Sequence, residues 1–443
     1  MKRLTKKYLL FTVTVSFILF IIVACNNTEQ SESLVDYSRS NSVGFTIDTS
    51  KEDLDFSFLN EVLDDKRIVA IGETSHAVEE FNKLKKEMIK YLHKELGYEV
   101  IIFESGYAEA QNTNNLQSVQ SGLQLMKRSL YPTWHSNDTL QLFSYISEQN
   151  GTNRPLQFDG VDLLPIYNSS IHYSYASWLE RWLKDIDENI AELAVGAEDD
   201  YANINFKSSE LEKKSLVDKY SKVEAFLKDN AEKLDEIYPN TNVVEENIAI
   251  INERIHIIEN VYTLDYLGTT NTENFNDYHK EFSIRDKYMA ERLGYLVNEK
   301  YKGKKIILWF ANMHLMKNTD NLVMIDEGLK DMFEPMPLTM GSIMSESIKD
   351  QTYTIGLYMG EGKTGLSTSL ETIQLPVKDK EDDLEWILKQ NSSDYVFLDL
   401  KEWDHDEKLY TAYYWGIYPY QLMPKEQYDG LMFIKNVSPR TLK

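Results

Sequence analysis

Glu73 and His76 follow the apolar run Ile68–Ile71 at once, separated from it only by Gly72, and a long amphipathic stretch begins directly behind them. Imidazole, with an unperturbed pKa of about 6.5, is the side chain suited to accept a proton near neutrality. A carboxylate leaving the same strand end can orient it. Three more ionisable groups stand in equivalent places: Glu104 after Tyr98–Phe103, Asp162 after Pro155–Val161, and His314 after Trp309-Phe310. Hydrolysis without a covalent intermediate needs a base for water, a carboxylate to orient that base, and a cation or donor for the developing oxyanion. His76 with Glu73 or Glu104 can supply the first two. Arg285, Lys85 or His314 can supply the third, with Asp162 on the same rim. The sequence holds no Gly-x-Ser-x-Gly elbow, and neither Ser75 nor Ser105 sits in a nucleophile motif. The chemistry these residues fit is water-mediated, metal-free hydrolysis.

Bringing such groups together requires strands that end at one rim. Arg67–Gly72, Tyr98–Phe103 and Pro155–Val161 read as buried strands, separated by helical stretches at Val78–Leu96 and Asp138–Gln149. In the first helix Val78, Phe81, Leu84, Met88, Leu92 and Leu96 form a stripe with a period of about 3.6 residues, and Gly97 closes it. Strands alternating with helices imply parallel pairing through right-handed crossovers. In open parallel sheets the ligand crevice lies beyond the carboxyl ends of the strands. From about 168 to 301 the β-type alternation disappears, and four charged helical stripes predict an inserted bundle. Strand-like runs resume at Lys305–Phe310, Tyr353–Met359, Tyr395–Leu400 and Leu431–Lys435. The expected fold is α/β: a largely parallel central sheet with flanking helices and an inserted helical-bundle subdomain.

At the N-terminus Lys2, Arg3, Lys6 and Lys7 precede an uncharged run that closes on Ile22-Val23-Ala24-Cys25. This has the form of a secretory signal. The placement of the cysteine looks like a bacterial lipobox, so residues 1–24 are expected to be removed and Cys25 acylated. The partner implied is the membrane, reached through an N-terminal lipid on the extracytoplasmic face. Cys25 is the only cysteine of 443 residues, which excludes a disulfide framework. Residues 25–50, rich in Ser, Asn, Thr and Glu, read as a flexible tether, leaving 51–443 as the folded domain. A net charge of −24 argues against nucleic acid as a partner.

Gly72-Glu73-Thr-Ser-His76 with Phe81 and Lys85 behind it resembles the first motif of the erythromycin esterase family. Phe103-Glu104-Ser-Gly106-Tyr107, Arg285-Asp286-Lys-Tyr-Met289-Ala290, Ile307-Leu-Trp309-Phe-Ala-Asn-Met-His314 and the C-terminal Tyr428-Asp429-Gly430 resemble later ones. The resemblance spans nearly all of 51–443, helical insertion included. It implies a hydrolase acting on a small-molecule ester, with antibiotic inactivation among its activities and no cofactor. Carried over by position, it makes His76 the base that activates water, with Glu73 and Glu104 completing the site. Lys85 takes the place of a basic residue, usually arginine, on the first helix, and Tyr107 joins the substrate-binding set. His314 matches the second histidine of a His-Asn-x-His motif. Ala311 stands at the first, and its side chain neither donates nor accepts a proton.

Two other readings use the same residues. Glu73, His76, Glu104 and His314 offer a donor set for a divalent ion, although the His-Glu-x-x-His spacing is absent. Ala311, the lipid anchor and an aromatic content of 28 Tyr and 7 Trp fit a surface ligand-binding lipoprotein without turnover.

Overall fold

The computed structural model of the chain describes residues 32–47, 55–115, 120–164, 166, 169–239, 242–264, 275–365, 371–404 and 407–441. The signal expected over 1–24 and the acylation site Cys25 lie outside these residues. In chain order the strands are β1 (Val43–Phe45), β2 (Ile68–Ile71), β3 (Val100–Gly106), β4 (Gln157–Asp162), β5 (Ile306–Trp309), β6 (Val323–Met324), β7 (Thr352–Gly365), β8 (Thr372–Gln374), β9 (Tyr395–Asp399), β10 (Tyr410–Tyr414), β11 (Tyr418–Leu422) and β12 (Gly430–Val437).

The main sheet runs β1-β9-β12-β7-β2-β5-β3-β4. From β12 to β4 every pairing is parallel, whereas β9 and β1 add an antiparallel edge. Apolar runs such as Ile68–Ile71 and Ile306–Trp309, buried at every position, are what a parallel strand covered on both faces requires. Their alternation sorts the core into two layers. Ile68, Ala70, Val100, Ile102, Ile306 and Leu308 face the helices between β4 and β5. Val69, Ile71, Ile101, Phe103, Ile307 and Trp309 face the Glu79–Lys94 and Asn137–Gln149 helices. The fold is thus a mixed α/β layer structure with a mostly parallel sheet.

The structure departs from the sequence reading at three places. Residues 34–45 are not a tether. Ser33 caps the Leu34–Asn41 helix by accepting from the Asp36 amide, Leu34 and Tyr37 are buried, and β1 pairs with β9. Between Asp162 and Ile306 the described residues form six α-helices rather than four. The first helical stretch of the insertion, from Trp178 to Leu193, breaks where Asp187 caps a new helix, its carboxylate accepting from the Asn189 and Ile190 amides. A second antiparallel sheet, β10-β11-β6, was not anticipated.

Candidate active site

Four neighbouring strands, β2, β5, β3 and β4, end side by side, and Glu73, Ala311 to His314, Glu104 and Asp162 leave or lie at their carboxyl ends. Gly72 is needed where the chain leaves β2, since a Cβ there would meet Asn312 Oδ1 at 2.1 Å. The Asn312 amide donates to the Glu73 carbonyl at 2.8 Å, and the Thr74 amide donates to Leu357 O at 3.1 Å. The loop carrying Glu73 and His76 is thereby fixed to β5 and β7.

On this loop the Glu73 carboxylate gathers three donors. His76 Nδ1 lies 2.8 Å and Trp134 Nε1 2.5 Å from Oε1, while Lys85 Nζ lies 2.8 Å from Oε2. Burial disfavours the charged carboxylate, but Lys85 and then His76 outweigh it and hold its pKa below the ordinary value. Burial in turn pulls the Lys85 ammonium below its ordinary value against the attraction of Glu73. Of the two charges the carboxylate is the more firmly held, because three donors converge on it. The tautomer of His76 follows: an ionised carboxylate can only accept, so Nδ1 carries the hydrogen. Among the described residues Nε2 has no hydrogen-bond partner, and the ring, with its side chain 20% exposed, faces a cavity. Trp134 packs edge-on against the same ring at 4.8 Å between centroids.

Opposite lies a denser ionic group. Arg285 grips Asp162 through Nε (2.9 and 3.0 Å) and Nη2 (2.5 Å), and Nη2 also reaches Glu104 Oε1 at 3.1 Å. Glu104 Oε1 further meets His314 Nε2 at 3.1 Å, and Oε2 accepts from the Ala311 amide at 2.7 Å. His314 Nδ1 is bound by Asp286 at 2.8 Å. Burial opposes ionisation of Glu104, yet His314 and Arg285 keep its pKa far below the usual carboxylate range. Burial also disfavours a charged imidazole at His314, but Asp286 and Glu104 overcome this and raise it to about 10. His314 is therefore an imidazolium at neutrality with both nitrogens spent. It cannot serve as a base.

The cavity between these groups measures about 600 Å³. His76, Glu104, Arg285, His314 and Thr74 form its polar floor, and Tyr131, Trp134, Tyr278, Phe282, Tyr414 and Trp415 its aromatic walls. Such a lining, mostly apolar with a few placed polar groups, suits a bulky small molecule. Phe282 stacks on His314 with ring centroids 4.9 Å apart.

The structure brings His76, Glu104, Arg285 and His314 to one cavity and leaves four other candidates, Lys85, Asp162, Tyr107 and Glu73, out of its lining. Lys85 is completely buried and engages Glu73 and the Phe310 carbonyl, so it acts on the carboxylate and not on a ligand. Asp162 is likewise buried and fully engaged by Arg285. Tyr107 points into the helical layer beneath the Arg292 guanidinium, 3.9 Å from its ring centroid. Glu73 itself lies behind His76. Ser75 pairs with Thr364 at 3.0 Å, and Ser105 is buried; neither lines the cavity. Glu104 and His314 are tied to each other, apart from the Glu73–His76 pair. Among the described residues no group of three or more His, Cys, Asp or Glu side chains is arranged to hold a metal ion.

An imidazole backed by a buried carboxylate, facing a cavity across from an arginine, is an arrangement suited to hydrolysis. Comparison with known proteins gives it a family. The erythromycin esterase family model matches residues 93–437. The Bacillus subtilis (strain 168) protein named "Putative hydrolase YbfO" is 33% identical over 407 residues, covering 88% of this chain and 87% of its own. Erythromycin esterase type II of Escherichia coli is 24% identical over 323 residues, 70% of this chain and 73% of its own. The chain belongs to the erythromycin esterase family of hydrolases. Two solved structures share the fold. A succinoglycan biosynthesis protein has a TM-score of 0.69 at 16% identity, and a mutant of the erythromycin esterase EreC in its open conformation has 0.62 at 17%; each match covers 93% of this chain and 98% of the other.

Proposed function

We propose that this protein hydrolyses a bulky, largely apolar carboxylic ester by His76-assisted attack of water, with no covalent intermediate. The reading is carried by one observation: His76 Nδ1 is held by the ionised Glu73 while Nε2 faces the cavity without a protein partner. A water between Nε2 and the ester carbonyl gives its proton to Nε2 as its oxygen bonds to carbon. Glu73 stabilises the imidazolium that forms. Arg285 lies across the cavity from the base; its Nη1 has no acceptor among the described residues and is available to the oxyanion. Collapse breaks the bond to the alkoxide, which takes the proton back from Nε2. Acid and alcohol leave, and the base is restored.

The test is a panel of activated esters and macrocyclic lactones, erythromycin included, turned over by the wild type and by His76→Asn in water enriched in oxygen-18. The reading expects loss of at least about 10³-fold in kcat in the variant, with one label in the acid and no acyl-enzyme burst. Full activity in the variant, or a trapped acyl-enzyme, refutes it. Tight binding without turnover of any ester would favour a binding lipoprotein instead. We also propose, on the N-terminal sequence alone, that Cys25 carries a lipid anchor on the extracytoplasmic face. A Cys25→Ser chain that still takes up labelled palmitate and stays with the membrane would contradict that.

A further inference from the structure

The cavity has a wall that the motifs do not include. β10 and β11 form a hairpin whose tip, Trp415-Gly416, carries two successive positive φ angles of 55° and 74°. For a tryptophan this conformation costs about 1–2 kcal/mol, so the turn is held by its surroundings. Trp415 donates its amide to the Thr74 carbonyl at 3.0 Å, and Thr74 Oγ1 donates to the Tyr413 carbonyl at 2.8 Å. The hairpin tip is thereby bolted to the residue between Glu73 and His76. Tyr414 and Trp415 both line the cavity, alongside His76, Ala311 and Arg285. Phe333 meets the Tyr414 ring edge-on, with centroids 5.9 Å apart, and fixes its direction.

Most donors at this cavity are already spent. His314 uses both nitrogens on carboxylates, Trp134 donates to Glu73, Tyr131 to the Leu164 carbonyl, and Thr74 to Tyr413. The Ala311 amide goes to Glu104, and its side chain offers nothing. The Tyr414 hydroxyl, by contrast, has no acceptor for its hydrogen among the described residues. Resting on the ester-hydrolase reading above, we propose that Tyr414 is a catalytic residue of this site, its phenolic O–H donating to the oxyanion that forms when water adds to the ester carbonyl. Burial and the nearby Glu104 charge push this phenol up to about 12, so its hydrogen is retained at every working pH. No net proton transfer is asked of it: the proton taken from water returns to the leaving alkoxide through His76.

The test compares wild type, Tyr414→Phe and His76→Asn, all as the full folded domain. Initial rates on a p-nitrophenyl ester are measured together with affinity for a phosphonate, a tetrahedral anion resembling the adduct, and for the product acid. Tyr414→Phe is expected to lower kcat about 10²-fold with KM within about threefold, and to weaken phosphonate about 10²-fold while acid affinity stays unchanged. If His76→Asn is inactive and Tyr414→Phe retains wild-type kcat, Tyr414 is not the donor and the hydrolase reading stands. If the wild type hydrolyses no ester, the hydrolase reading fails and this proposal falls with it. A loss of kcat matched by equal weakening of phosphonate and product acid would mean a positional role only, and overturns it too.

Discussion

Replacing Glu73 by glutamine separates the two jobs this carboxylate does. Three donors converge on it: His76 and Trp134 at Oε1 and Lys85 at Oε2. An amide offers one acceptor oxygen and one NH2 group, so it cannot satisfy both sides. If its oxygen keeps His76 and Trp134, the NH2 faces a fully buried ammonium. Breaking a buried pair on one side costs about 3–5 kcal/mol. If its oxygen turns to Lys85, the NH2 faces His76 Nδ1 and forces the hydrogen onto Nε2, which then cannot accept a proton from water. The comparable carboxylate-to-amide change in a Ser-His-Asp triad lowers kcat about 10⁴-fold, and the expectation here is about 10³–10⁴, or about 4–5 kcal/mol in the barrier. Ester hydrolysis at saturation reads the first effect, and urea unfolding the second. Nitrogen-15 correlation spectra of the His76 ring read the tautomer independently of activity. Adding Lys85→Met to Glu73→Gln removes the stranded charge and leaves the amide oxygen to His76 and Trp134, so stability should return and kcat should recover in part, a neutral amide still failing to stabilise the imidazolium. A folded Glu73→Gln protein with kcat within threefold of wild type, and Nδ1 still protonated, would refute the orienting role.

Two further expectations concern the ionic group opposite. His314 keeps its proton to about 10 when folded, against about 6.5 when unfolded. Its contribution is therefore complete below about 6.5 and is lost as pH rises through about 10, at up to about 1.4 kcal/mol per pH unit. The difference in unfolding free energy between wild type and His314→Gln should shrink across that window, and a pH-independent difference by chemical denaturation would contradict it. Asp162→Asn should lower both kcat and stability, the first because it frees Arg285 to swing away from Glu104 and the cavity, the second because a largely buried guanidinium loses one of its two carboxylates. A measured kcat unchanged in that variant would show that the bidentate grip does not position Arg285 for the reaction.

Much of this site was legible because strand ends and helical stripes carry periodic signals. The runs ending at Gly72 and Phe103 announce buried strands, and the acids and imidazole behind them stand out against that apolar background. The antiparallel edge, the β10-β11-β6 sheet and the partners of those residues did not stand out. Asp286 holds His314 across 28 positions, and nothing local marks a helical aspartate beside an arginine as its partner. Trp134 sits in the short Pro132–Trp134 turn, too brief for any period, and is aimed by Thr139 donating to its carbonyl at 2.7 Å. The β10–β11 hairpin lacks the Asn-Gly signature of tight turns. Its strained Trp415 is stable only through contacts made by the distant Glu73 loop, so a local reading misses it. Leu34 and Tyr37 likewise sit in a polar stretch that reads as tether until β9 and Trp403 cover them.

The two histidines of the site begin with the same intrinsic chemistry and are driven to different roles by the carboxylates around them. His314 lies between two, Asp286 and Glu104, one on each ring nitrogen, and Phe282 covers its face. Both of its hydrogens are committed, so it is a fixed positive charge that holds Glu104 ionised. His76 has one carboxylate, on one nitrogen, and shares it with Trp134 and Lys85. Lys85 matters here through charge balance. By neutralising Glu73 from the far side it lets that carboxylate stay ionised in a buried place while its other oxygen is left to hold His76. A Lys85→Met variant would leave Glu73 a buried anion held by His76 and Trp134, with Arg440 a remaining cation acting on it. Breaking a buried pair on one side costs about 3–5 kcal/mol, so urea unfolding of the variant should show a loss of that order. If Lys85→Met unfolds with the free energy of the wild type, Lys85 is a packing residue, and the Glu73 charge is balanced without it.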